Sequence, residues 1–151
     1  MSGLEEALEK IVVGKYDLAT IKEEAKVHEK VHEYLRLAES EPIKARPLGL
    51  QLLEDAAKFT DLLEEMAWSI LTDEDIKKPD FDLALQAAKA VNEAKSGKDP
   101  DALDTYALAL FKNGKTAEAI KLEKQAIALC KDEKLMPHLK NRLAEFEGKG
   151  K

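Results

Sequence analysis

The stretch from Pro100 to Leu129 constrains the fold of this chain more than any other, because it has the pattern of two helices separated by a glycine turn. Asp99 can cap the first helix, and apolar residues then recur at steps of three and four. Gly114 supplies the left-handed exit that commonly ends a helix. Small side chains at Ala107 and Ala119 allow two antiparallel helices to approach closely. The pattern therefore predicts a tightly packed helical hairpin.

The same stretch resembles a tetratricopeptide repeat (TPR), a helical hairpin of roughly 34 residues. The matching positions are Leu103, Tyr106, Ala107, Leu110, Gly114, Ala119 and Ala126. Two positions depart from the pattern: Glu123 stands where the repeat usually has an aromatic residue, and Lys131 where it often has proline. The resemblance implies an array of such hairpins that binds a partner in a groove.

Other segments repeat features of this hairpin. Ala7, Gly14 and Ala19 each lie 100 residues before their counterparts, and Ala67 lies 40 residues before Ala107 in a similar apolar pattern. We expect an all-α fold of TPR-like antiparallel helical hairpins in a right-handed array, with about eight helices in a single domain over 1–151. Its expected parts are a degenerate hairpin at 1–40, an extra helix at 43–58, a TPR-like hairpin at 60–96, a TPR hairpin at 100–131 and a capping helix at 135–147.

A second resemblance extends from about Gly14 to Phe146. The helical tail that follows the thioredoxin-like domain in some bacterial TlpA-type thiol–disulfide proteins is similar to the segments GKYDLA, EMAWSILTD, DFDLALQAAKAVNEA and DPDALDTYALALFKNGKTAEAIKLEKQAI. The catalytic CxxC domain of that family is absent here, so its redox activity cannot be assigned to any residue of this chain. The resemblance implies an accessory or substrate-presenting module.

Composition favours helices and argues against several classes of partner. Charged residues make up 36% of the chain and aromatic residues 5%, with a net charge of −6 and a pI of about 5.2, so nucleic acid is a poor partner. The acidic excess lies in residues 1–80, which carry 19 acidic and 11 basic groups. Neither a membrane-spanning run nor a signal sequence is visible. We expect a soluble monomer or weak homo-oligomer with no membrane partner, cytoplasmic by default and periplasmic if it is a TlpA-type tail.

The resemblance to the TPR also assigns a groove-facing set of residues. These are Asp61, Glu64, Trp68, Asp101, Asp104, Leu108 and Lys112. Chaperone-binding TPR proteins use Lys and Asn at such positions to hold a C-terminal carboxylate, whereas acids dominate here. We therefore expect a protein or peptide partner with a basic or apolar segment. Two alternatives stay open: Trp68 packs in the core against the helix at 43–58, and the acids merely favour helix dipoles.

The segment from His28 to His32, HEKVH, matches the HExxH motif of zinc proteases. On a helix both imidazoles could hold Zn²⁺ while Glu29 activates water, with Glu54 as a distant third ligand. Lys30 and Glu33 stand where zinc proteases need uncharged residues around the metal, and no HxxGxxH extension follows, so we favour a solvated helix face with weak, adventitious Zn²⁺ or Ni²⁺ binding. We thus predict a binding protein with no cofactor and no catalytic residue. The alternatives are a zinc-dependent hydrolase using His28, Glu29 and His32, and a self-assembling structural repeat protein.

The single cysteine, Cys130, excludes an intramolecular disulfide, a CxxC redox pair and a multi-cysteine zinc site. It lies near the end of a predicted helix, where the helix dipole raises rather than lowers the pKa of a thiol. We expect an inert, semi-buried side chain.

Overall fold

The computed structural model describes Gly3, Leu4, Glu6 and residues 17–148 of the chain. Residues 17–148 contain seven α-helices, and the described residues contain no strand, which confirms the all-α prediction. The helices are α1 (Leu18–Ser40), α2 (Pro42–Asp55), α3 (Thr60–Thr72), α4 (Phe81–Ala94), α5 (Pro100–Lys112), α6 (Thr116–Leu129) and α7 (Met136–Phe146). Most of the first helix predicted in the 1–40 hairpin, and the Gly14 turn after it, lie outside the described residues, although Gly3, Leu4 and Glu6 are helical.

Consecutive helices pair along their length: α1 packs on α2, α3 on α4, α5 on α6, and α7 on α6. The odd-numbered helices also contact one another in order, α1 with α3, α3 with α5 and α5 with α7. The odd helices therefore form a continuous row. Seams between neighbours in this row are the places where side chains distant in sequence can meet.

Small residues sit at the helix contacts, as the sequence predicts. Ala67, Ala107 and Ala119 are fully buried, and each belongs to the large apolar core. Gly49 on α2 is a further case, because a Cβ there would lie 2.8 Å from the Tyr34 ring and closer still to Leu83. Burial of small side chains allows the backbones to approach closely. Small side chains thus allow the helices of the hairpins to pack closely at these positions.

The helix predicted at 43–58 begins at Pro42 and ends at Asp55. Pro42 occupies the start of the helix, where its ring is favourable, and Pro47 is accommodated inside it. Residues 56–59 form the connection to α3, with Ala56 and Phe59 buried. This helix is the packing partner of α1, so the pair makes the first hairpin of the described region.

Helix α7 covers the end of the row. Leu139 is fully buried in a small cluster with Leu103, Ala126 and Cys130. The ring of Phe146 stacks on that of Phe111, with centroids 4.7 Å apart. Cys130 itself is buried, and its sulfur lies 3.4 Å from the carbonyl oxygen of Asp132. Among the helices described, none has both the length and the apolar character that crossing a membrane requires.

Candidate functional site

An open recess of about 400 Å³ lies where α3, α5 and the start of α7 meet. A site of this size can take a small ligand or one long side chain of a peptide. Three helices and the α4–α5 turn contribute to its wall. The lining residues are Glu64, Trp68, Lys95, Asp99, Asp101, Asp104, Thr105, Leu135 and His138.

The recess collects part of the groove set that the TPR spacing assigned. Glu64, Trp68, Asp101 and Asp104 all line it. The other three assigned residues are elsewhere.

Asp61 is exposed at the start of α3 and does not belong to the recess lining. Leu108 is only 2% exposed, because it packs in the large core, and so offers no surface to a partner. Lys112 is exposed at the end of α5, with its Nζ 5.9 Å from the centre of the Phe81 ring.

Trp68 is 38% exposed, so the single tryptophan is partly buried and partly accessible to solvent. Glu64 precedes it by one helical turn, which places both on one face of α3. An indole face beside carboxylates attracts a guanidinium or ammonium group. The pair therefore favours a cationic side chain over an anionic one.

Lys95 is a recess residue that the sequence reasoning missed. Its Nζ donates to Glu64 at 3.0 Å and lies 3.2 Å from Asp99. Burial disfavours the charged Lys95, but hydrogen bonds and charges of the two carboxylates outweigh it and raise the pKa of Lys95. The pairing of Lys95 with Asp99 can be predicted from their i,i+4 spacing in the sequence. The contact of Lys95 with Glu64 cannot, because it depends on the α3–α4 packing.

Acids outnumber cations in the recess. Asp101 has a raised pKa, because burial and the nearby charges of Asp99 and Asp104 all disfavour its ionised form. Lys95 is shared by two other carboxylates and reduces this effect only in part. A positively charged group entering the recess would relieve the repulsion.

The floor of the recess is a buried ionic network centred on Asp104, which is 3% exposed. The Nε of Arg142 donates to one oxygen of Asp104 at 3.2 Å, and the Nε2 of His138 lies 3.0 Å from the other. A carboxylate only accepts, so His138 carries a proton on Nε2. Both partners come from α7, which fixes the capping helix against α5.

Glu123 on α6 lies beneath this network and is fully buried. Burial first, and then the charge of Asp104 and a hydrogen bond to it, raise the pKa of Glu123 from 4.5 to about 9. As an ion, both of its carboxylate oxygens would be buried without a donor. The buried carboxyl therefore favours its protonated form at neutral pH, in which its O–H can donate to Asp104.

The HExxH segment lies at another seam of the row, between α1 and α3. The Nε2 atoms of His28 and His32 are 3.1 Å apart, and the Nε2 of His32 is 3.6 Å from Oε1 of Glu65 on α3. One ligand atom from each of these three residues lies within 4.8 Å of the others. Glu29 and Glu54, which the motif suggested, are not part of this group.

Comparison of the chain with protein-family models, with curated proteins and with solved structures gives no match. The recess and the α1–α3 seam are therefore the features of the molecule that indicate its function.

Proposed function

We propose that the protein is an interaction module with a TPR-like arrangement of hairpins, whose recess binds a basic segment of another protein and carries out no catalysis. The observation that carries this proposal is the convergence of Glu64, Asp99, Asp101 and Asp104 on one open recess beside a half-exposed Trp68.

The helix contacts support the TPR-like arrangement. Hairpins packed side by side, with odd helices in contact, are the order expected of stacked helical repeats. The buried alanines at the repeat positions are consistent with it. The resemblance to the tail of TlpA-type proteins makes an accessory role beside a thioredoxin-like domain the natural biological setting for such a module.

The charge of the recess determines which segment fits. A clamp for a terminal carboxylate needs cations, but among the described residues that line the recess the only basic groups are Lys95 and His138, each already beside a carboxylate. A lysine or arginine side chain can enter between Asp101 and Trp68 and gain both an ion pair and a cation–π contact. Electrostatic complementarity of this kind selects partners more than it adds affinity.

Peptides of equal length with basic, neutral or acidic sequences test the proposal, using the fluorescence of Trp68, which is the single tryptophan. We expect the basic peptide to change the emission and to bind more weakly as salt rises. Trp68→Ala combined with Glu64→Lys should reduce the affinity, measured by anisotropy of a labelled peptide, by at least about tenfold.

The matched control is Asp61→Asn, which removes an exposed acid of the same helix outside the lining. It should leave the affinity within about twofold, because exposed charges away from the contact contribute little. Equal binding of acidic and basic peptides, or unchanged affinity in the double variant, would show that the recess is not the docking site.

A further inference from the structure

We propose that His28, His32 and Glu65 form a Zn²⁺ site that ties α1 to α3. This site is separate from the recess and does not depend on the proposed peptide binding. It also differs from the protease motif, since Glu65 replaces the in-motif Glu29 as the carboxylate of the group.

The distances between ligand atoms fit a tetrahedral ion. Two ligands each about 2.05 Å from a tetrahedral zinc are about 3.3 Å apart. The Nε2 atoms of His28 and His32 are 3.1 Å apart, and His32 Nε2 is 3.6 Å from Glu65 Oε1. All three atoms lie within 4.8 Å of one another, so small side-chain rotations bring them onto one ion.

Without a metal, the interaction between the two rings is limited to one hydrogen bond between their Nε2 atoms. Two neutral rings can share one proton between facing Nε2 atoms, and two protonated rings would repel. A cation placed between the nitrogens satisfies both lone pairs at once. Imidazole and carboxylate ligands suit Zn²⁺, and the exposure of both histidines leaves a position for water.

Glu65 makes the metal site depend on tertiary structure, because it lies on α3 and both histidines lie on α1. A pair of histidines four residues apart on a helix can bind metal weakly on its own, whereas a ligand from α3 closes a loop of 33 positions between His32 and Glu65. A metal bound by all three residues therefore stabilises the contact between α1 and α3. The variant at Glu65 separates this proposal from simple surface histidine binding.

Isothermal titration of chelator-stripped protein with ZnCl₂ tests the site. We expect one Zn²⁺ per chain and a rise in melting temperature of roughly 5 °C at a free zinc concentration about 100 times the Kd. Loss of a group that hydrogen-bonds to a metal ligand already weakens metal binding by about 10- to 100-fold. We therefore expect His32→Ala, which removes a ligand, to weaken Zn²⁺ binding by at least about 100-fold, and Glu65→Gln to weaken it by about tenfold.

His138→Ala and Glu64→Gln are the controls, since they change the third histidine of the chain and the neighbouring acid of α3. Both should bind Zn²⁺ as the unmodified protein does. Melting curves without metal establish that each variant is folded. Absence of stoichiometric zinc, or an affinity that Glu65→Gln leaves unchanged, would overturn the proposal.

Discussion

Two histidine–carboxylate pairs connect neighbouring odd-numbered helices, and their surroundings differ sharply. His32 and Glu65, between α1 and α3, are 3.6 Å apart with side chains 60% and 39% exposed. His138 and Asp104, between α5 and α7, are 3.0 Å apart with side chains 45% and 4% exposed, so the difference lies in the buried carboxylate. Arg142 completes the second pair, whereas His28 extends the first.

The difference shows how burial decides what a polar cluster can do. In the folded protein Asp104 interacts with Arg142, His138 and the protonated Glu123 in place of water. These interactions compensate for the loss of its hydration. The lone pairs at the α1–α3 seam stay accessible to an ion. We therefore expect the α5–α7 cluster to matter for stability and the α1–α3 cluster for ligand binding.

The largest effect is expected from Arg142→Met, which takes the permanent cation away from the buried acids. The side chain of Arg142 is 14% exposed and that of Asp104 4% exposed, so solvent compensates little. Breaking a buried pair by removing one partner costs about 3–5 kcal/mol. Urea denaturation at pH 7 measures this loss in the free energy of unfolding.

Arg46→Met is the matched control, because Arg46 pairs with Asp80 and Asp82 through a side chain that is 45% exposed. Exposed ion pairs are worth about 0–1 kcal/mol. Similar losses in the two arginine variants would mean that burial does not distinguish the α5–α7 cluster.

Glu123→Gln should stabilise the protein at neutral and alkaline pH. The pKa of Glu123 is raised in the folded state, so its contribution to stability is complete below about pH 4.5 and is lost as pH rises toward about 9. Each pH unit in this window costs up to about 1.4 kcal/mol, and Gln can replace the O–H donor without titrating. We expect a gain on the order of 2–3 kcal/mol at pH 7, measured by urea denaturation between pH 5 and 9.

Glu133→Gln provides the control, since Glu133 is exposed in the turn before α7. Its stability curve against pH should run parallel to that of the unmodified protein. If the Glu123→Gln curve is parallel as well, Glu123 is ionised in the folded protein and our account of the carboxyl pair fails.

The sequence predicts local features well because neighbouring residues determine them. Asp99 caps α5 as predicted, and Asp17 and Asp80 cap α1 and α4 in the same way, with side chains accepting backbone hydrogen bonds. Gly114 ends α5 in the left-handed region, with φ of +80°. Helix α6 begins at Thr116, and Lys115 precedes it without a side-chain cap.

The clusters could not be predicted because they depend on how distant helices cross. Nothing in the HEKVH segment selects Glu65 over Glu54; the α1–α3 packing brings Glu65 to the histidines. Glu123 was visible as a departure from the usual aromatic of the repeat. Its proximity to Asp104 was not, since the pair belongs to different helices. Leu108 shows the same limit, because the repeat spacing assigned it to the groove and the packing buries it.

The smallest effect is expected from Glu65→Gln in metal-free protein. Glu65 and His32 are both substantially exposed, so water replaces their interaction at little cost, and we expect a change below about 0.5 kcal/mol in the free energy of unfolding. Added Zn²⁺ should then separate the variant from the unmodified protein, because only the latter gains the full metal-dependent stabilisation. A loss above about 1.5 kcal/mol without metal would mean that the α1–α3 pair is structural in its own right, like its α5–α7 counterpart. The two seams would then differ in solvent exposure, but both would contribute to stability.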